Sequence, residues 1–176
     1  MSRFRFLALA LLTVGFSACL ESTAPQYATV ENTEFASSLG VDLSASTATE
    51  VGVYYRDIVV GTGPVIAPLQ DSYMFYHGYL SNGTEFDKVQ PPSAPAHFVT
   101  GQGTLIPGFE IGLEGMRLGG RRQIIVPPNL AYGLTDVTRN GAVVVPSNSV
   151  LVFLVDLTDA AGGNGPTTAT ISTPAP

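Results

Sequence analysis

Tyr76, Phe86 and Asp87, followed by the run Leu105-Ile106-Pro107-Gly108-Phe109-Glu110 and by Ala131-Tyr132-Gly133, are the residues whose types and spacing point to chemistry. Aromatic rings gathered around a single carboxylate predict an apolar pocket with very few polar groups. Such a site grips and desolvates what enters it. It offers no acid/base pair and no activated nucleophile for breaking a covalent bond.

Other chemistries find less support. Gly101-Gln102-Gly103 lacks the third glycine of a dinucleotide fingerprint, since position 106 is Ile, and reads as a turn. No G-x-S-x-G occurs, and no nucleophile pairs with His77 or His97, which read as polar residues on a sheet surface. Glu110 and Glu114, at i and i+4, read as a solvated helix face. One cysteine and two histidines are too few for a structural zinc site or a disulfide framework, and no cofactor motif is present, so neither metal nor cofactor is expected. A net charge of −6 with only 8 Lys+Arg, and no basic run beyond Arg121-Arg122, lacks the footprint of a nucleic-acid binder.

The elements that must position the pocket residues follow from periodicity. Val51–Val60 is a β-rich run stopped by Gly61-Thr62-Gly63-Pro64. Ser72–Leu80 predicts a strand with Met74, Tyr76, Gly78 and Leu80 on one face and Tyr73, Phe75, His77 and Tyr79 on the other; both faces are apolar enough to leave register open. Ser81-Asn82-Gly83 supplies a tight hairpin connection. His97–Val99 is a short strand. Ile106, Phe109, Leu113 and Met116 form the stripe of one amphipathic helix with Pro107 in its first turn, ended by Gly115 and Gly119-Gly120. Arg122–Val126 and Val150–Leu157 are strands, the latter with Leu151, Phe153, Val155 and Leu157 inward. Together these predict an α+β domain, an antiparallel five- to six-stranded sheet wrapped around one short helix.

The ends differ from this body. Residues 1–18 carry Arg3 and Arg5, an apolar stretch from Phe6 to Val14 and then small residues, the pattern of a secretory signal peptide too short to span a bilayer. Phe16-Ser17-Ala18-Cys19 resembles the lipobox of bacterial lipoproteins, with Phe16 in place of the usual aliphatic residue. The alternative is an ordinary signal peptide leaving a free thiol, but the chain's only cysteine sits where the motif requires it. The resemblance implies acylation of Cys19 and, because Leu20 follows it and not aspartate, attachment to the outer membrane, facing the periplasm. Losing Arg3 and Arg5 leaves six cations against fourteen carboxylates, a mature charge of −8, so lipid and not surface charge would anchor the protein. Residues 19–49 are rich in Ser, Thr and Ala, with scattered apolar residues at Phe35, Leu39, Val41 and Leu43, and read as a lipidated tether that either docks in part or, if flexible, reaches about 30 Å; 161–176 read as a disordered Gly/Pro/Thr/Ala tail. The domain is expected at 50–160.

Over that span the chain resembles the FKBP-type peptidyl-prolyl cis-trans isomerases, through Phe75-Tyr76-His77-Gly78, Gly83-Thr84-Glu85-Phe86-Asp87, Leu105 to Glu110, Ala131-Tyr132-Gly133 and Leu151-Val152-Phe153, all in family order. The resemblance implies a proline pocket walled by Tyr76, Phe86, Phe109, Tyr132 and Phe153. Phe109 would form the floor where many relatives carry an indole. Leu105 and Ile106 would add apolar wall, and Val144 and Val145 would overhang the pocket from a loop, Leu134 to Val144, longer than in minimal members. The Ile106 N–H and the Tyr132 hydroxyl would hold substrate carbonyls, and Asp87 would face the carbonyl being rotated.

Two departures bear on turnover. Ala96 stands where the family commonly has an aromatic wall residue, and Pro92 where an arginine often pairs with the aspartate. They favour an alternative in which a lipoprotein chaperone or binding module keeps the pocket with little turnover; a structural envelope lipoprotein would not need the pocket motifs at all. The partners the resemblance implies are proline-containing unfolded or nascent envelope proteins, with macrolides as a ligand class. No dimerisation segment is recognisable, which leaves a monomer as the default.

Overall fold

A computed structural model describes residues 26–159 and residue 162. The signal peptide, Cys19 and the tail apart from Gly162 lie outside the described residues.

The sheet comprises β1 (Thr47–Ala48), β2 (Tyr54–Val59), β3 (Asp71–Leu80), β4 (Glu85–Val89), β5 (Ala96–Val99), β6 (Arg121–Val126) and β9 (Leu151–Thr158). Its order is β1-β2-β6-β9-β3-β4, with β5 beside β3 and every pairing antiparallel. The two-residue β1 and the four-residue β5 bring the sheet to seven strands, beyond the five or six expected. A separate hairpin of β7 (Val137–Arg139) and β8 (Ala142–Val145) stands off the sheet. Its two-residue turn, Asn140-Gly141, has φ of 53° and 80°, the left-handed pair whose twist suits a tight hairpin.

One face of the sheet carries the main core. Met74, Ile124, Val126, Leu151, Phe153, Val155 and Leu157 point inward against Phe109, Leu113 and Met116. Leu151, Phe153, Val155 and Leu157 are the inward residues expected of the strand at Val150–Leu157, and the structure settles the register left open at Ser72–Leu80 by placing Met74 in this core. Helix α1 (Pro107–Leu113) begins with Ile106 as its N-cap in extended conformation and Pro107 as its first residue, where a missing N–H costs nothing. It stops at Glu114 because Gly115 turns left-handed at φ 72°, and Met116 reaches the core from beyond the helix. A Cβ on Gly108 would overlap Val126 Cγ1, and one on Gly112 would overlap Ile124 Cγ2, so these two glycines let the helix lie close against β6. Arg122, buried on β6, caps the far end. Its Nη1 donates to the carbonyls of Gly112 at 2.9 Å and Glu114 at 2.7 Å, and its guanidinium forks onto Asp57 at 2.7 and 2.9 Å and lies over the Tyr55 ring.

The other face is not open to water. Val30, Phe35, Leu39, Val41 and Leu43 pack on Tyr79, Ile125, Val150 and Val152. The Ala36 N–H donates to Ser81 O at 2.8 Å, Gln123 Nε2 to Leu39 O at 2.7 Å and the Ala28 N–H to Asn148 Oδ1 at 2.9 Å. The stretch read as a tether is therefore a docked strap from Ala28 onward. Its apolar residues are spaced irregularly because the strap crosses the sheet through two short 3-10 turns, Ser37–Leu39 and Leu43–Ala45, and not as one regular element. The strap also accounts for β9, which is buried at all but one position.

His77 corrects the expectation of a surface residue. It is 4% exposed, and its Nδ1 lies 2.7 Å from Glu85 Oε2, beside the parallel ring of Tyr79. His97 is exposed as expected, stacked on Tyr73 with Nε2 2.6 Å from Asp71 Oδ1. Glu110 is also less solvated than its helix position suggested, with Oε1 buried and lacking a hydrogen-bond partner among the described residues, while Glu114 is exposed.

Candidate active site

The site grows from an irregularity in the β3–β4 pairing. Tyr79 opposes Glu85 and Gly78 opposes Asp87, which leaves Phe86 as an extra residue in β4. A bulge of this kind lets two successive side chains turn to one face, where regular alternation would send one of them away. Phe86 therefore enters the core while Asp87 reaches Tyr76, two residues before Gly78 on the same face of β3.

Four rings meet around that bulge. Phe109, from α1, lies with its centroid 4.7 Å from that of Phe153 and 6.2 Å from that of Tyr76, and Phe86 meets Phe153 edge-on at 5.9 Å. These are tilted and edge contacts, the arrangements aromatic quadrupoles favour. The rings converge because Gly78 has no side chain: a Cβ there would stand 2.8 Å from Phe86 Cζ and 3.1 Å from Phe153 Cε1. Leu105, Ile106, Ala131 and Val144, all half-buried, pack against the hydrophobic core to which Phe86, Phe109 and Phe153 belong. Val145 is sealed within the core at 1% exposure and offers no surface to a ligand.

The polar part is small. The Tyr76 hydroxyl donates to Asp87 Oδ2 at 2.7 Å. Burial and then the Asp87 carboxylate push the Tyr76 phenol well above its ordinary pKa, so it remains a proton donor at neutral pH. Tyr132 follows Pro128–Leu130, a 3-10 turn, in a loop pinned by the Gly133 N–H on Pro128 O and the Asn148 N–H on Gly133 O, each at 2.8 Å. The residue is 39% exposed, and its phenol is raised by burial and by Asp87, with Arg139 opposing. The Ile106 N–H, at the helix N-cap, makes no hydrogen bond among the described residues.

Arg139 is the residue sequence reasoning missed. From β7 its Nη1 donates to Phe86 O at 3.1 Å and its Nη2 to Asp87 Oδ1 at 3.4 Å. The arginine absent at Pro92 is thus replaced from another element, and Asp87 is held from both sides. The signal was present in Asn140-Gly141 between Val-Thr-Arg and Ala-Val-Val-Val, a hairpin pattern that fixes where Arg139 ends its strand. Ala96 remains small and half-buried, beside a cleft of about 480 Å³ also lined by Lys88, Pro91, Pro92 and Ala94.

The structure therefore brings together Tyr76, Phe86, Asp87, Phe109 and Phe153, packs Leu105, Ile106 and Val144 around them, and sets Tyr132 close enough to feel the Asp87 charge. One carboxylate, held by a phenol and a guanidinium, is an acceptor with no base to partner it. Among the described residues, no three His, Cys, Asp or Glu gather as metal ligands would.

Residues 63–158 match the family model described as FKBP-type peptidyl-prolyl cis-trans isomerase. An FK506-binding protein of Streptomyces anulatus is 39% identical over 103 residues, 58% of this chain and 81% of that protein. The 46 kDa FK506-binding nuclear protein of Spodoptera frugiperda is 39% identical over 108 residues, 60% of this chain, and the chain spans only 25% of its length. Among solved structures, AtFKBP13 superposes with a TM-score of 0.60 at 32% identity, covering 66% of this chain and 98% of that one. FkpA from Escherichia coli gives 0.56 at 30% identity, covering 67% and 53%. The family match spans more than half of the sequence and takes in β3, the β4 bulge, α1 and β9, the elements that carry the ring cluster, so this chain belongs to the FKBP-type peptidyl-prolyl cis-trans isomerases.

Proposed function

We propose that the protein accelerates rotation about X-Pro peptide bonds in unfolded or folding proteins of the bacterial envelope. The observation that carries this reading is the ring cluster of Tyr76, Phe86, Phe109 and Phe153 closed around a single carboxylate already held by Tyr76. Amide resonance sets a rotational barrier of about 18–20 kcal/mol, and breaking it requires neither a nucleophile nor a proton relay. The twisted transition state is less dipolar than the planar amide. An apolar pocket that strips water from the planar form lowers the difference between them.

The polar groups confine the motion. The unpaired Ile106 N–H and the Tyr132 hydroxyl hold the flanking substrate carbonyls, so that rotation is restricted to one bond. Asp87, fixed by Tyr76 and Arg139, faces the rotating carbonyl. The alternative of a binding module with little turnover drew on Pro92 and Ala96; Arg139 removes the first ground, since Asp87 has its cation after all.

Cys19, acylated, would tether the protein to the outer membrane on its periplasmic side, as a monomer. The lipobox supports this. Intact mass after membrane extraction should show acylation at Cys19, and an unmodified soluble mature protein would refute it. For the activity, NMR exchange or protease-coupled isomerisation of short X-Pro peptides should show acceleration by the wild type and a loss in Asp87→Ala and Tyr132→Phe. Background rates with folded wild type would end the enzyme reading.

A further inference from the structure

We propose that Arg139 is a positioning residue for isomerisation, acting through Asp87 and joining the β7–β8 hairpin to the bulged strand β4; this rests on the isomerase reading above. Arg139 makes two contacts in β4 from across the pocket mouth, one to the Phe86 carbonyl and one to the Asp87 carboxylate. The bulge is what makes both necessary. Phe86 is the extra residue of β4 and has no partner in the β3–β4 register, and the guanidinium supplies its carbonyl with a donor.

Asp87 has two oxygens and two fixed partners. Tyr76 takes Oδ2 from within the sheet and Arg139 approaches Oδ1 from the hairpin, which removes rotation about the carboxylate's own axis. A lysine would serve less well, because one ammonium cannot present two diverging donors in a fixed plane. The same hairpin carries Val145 into the core that holds Phe86, Phe109 and Phe153, with Val144 packed against it. Arg139 thereby holds an apolar wall and the pocket's carboxylate at a set distance. Its side chain is 56% exposed, so the core has little need of it.

The test compares the wild type with Arg139→Ala and Arg139→Lys, each with Asp87 intact and in an Asp87→Ala background. The readouts are kcat and KM on an X-Pro peptide by NMR exchange, with backbone 15N relaxation of residues 85–89. Arg139→Ala should lower kcat about three- to tenfold with a smaller change in KM, and Arg139→Lys should recover part of the loss. Removing Asp87 first should shrink the Arg139→Ala factor, because residues acting as one unit are not additive. The Phe86 and Asp87 amides should become more mobile in Arg139→Ala while the melting temperature stays near wild type. Equal kcat in Arg139→Ala and wild type, an undiminished factor in the Asp87→Ala background, or unchanged mobility of β4 would each overturn the proposal. An inactive wild type would instead strike the isomerase reading itself, and the two failures are thereby distinguished.

Discussion

Gly78 and Phe86 share one space: the ring of Phe86 lies where the first carbon of any side chain at position 78 would have to be, 2.8 Å from its Cζ. Phe153 approaches the same point at 3.1 Å. Gly78→Ala is therefore expected to push both rings aside and cost about 1–3 kcal/mol of stability. The larger effect should fall on kcat/KM, at least tenfold by peptide isomerisation, since the two rings it displaces belong to the proposed proline site.

Tyr76→Phe keeps the ring and removes the donor to Asp87 Oδ2. Among the described residues Asp87 then retains only Arg139, at 3.4 Å. A hydrogen bond to a charged group contributes about 1.5–3 kcal/mol. Because Asp87 is partly exposed and water can replace the phenol, the stability loss should sit below that range, and kcat should fall more than thermal stability does.

Two pH dependences follow from the directions of shift. Tyr76 has its folded pKa raised, so its contribution is complete below the unfolded value of about 10 and is lost as pH rises past it. Glu85 is lowered: burial opposes ionisation, but hydrogen bonds from Lys88 and His77 outweigh it. Its contribution is present above the unfolded value of 4.5 and is lost as pH falls below that. Denaturant midpoints across pH should decline at both ends. Tyr76→Phe should flatten the alkaline limb and Glu85→Gln the acid limb.

Arg122→Met should be the most destabilising of these changes. It leaves Asp57 without its partner and the carbonyls of Gly112 and Glu114 without their donor. Removing one partner of a buried ion pair costs about 3–5 kcal/mol. Asp57 is partly exposed and can rehydrate, which places the expected loss at the lower end, measurable by urea unfolding.

The strap can be tested at Val30, which is 1% exposed against Tyr79 and Val152. Val30→Ala removes about two methylene equivalents from a packed site and should cost about 2 kcal/mol. A protein beginning at residue 46 should expose the outer face of β9 and melt at a lower temperature than one beginning at residue 26.

How much was legible in the sequence depended on how local the determining forces were. The inward residues of β9, the Asn82-Gly83 turn and the helix stripe from Ile106 are written in short-range periodicity. The ring set of Tyr76, Phe86, Phe109 and Phe153 was reachable because its motifs recur in order. The bulge at Phe86 was not, since extra residues in a strand are visible only against a partner's register. The burial of His77 was equally hidden, because neither face of β3 is polar and the second face is covered only by docking of the strap, which the sequence showed only as scattered apolar residues at Phe35, Leu39, Val41 and Leu43. Arg139 was hidden by distance, 52 residues from Asp87 along the chain.

The close seating of α1 on β6, allowed by Gly108 and Gly112 against Val126 and Ile124, has a meaning for how this pocket can change. Phe109 lies between those two glycines in sequence and moves with the helix axis. The place of the Phe109 ring among Tyr76 and Phe153 is thus set by a spacing between two elements as well as by the rings themselves. A methyl group added beneath the helix has no room against β6 and would carry Phe109 away with the helix. The geometry of the ring cluster is in that sense adjustable from underneath, by residues outside the cluster.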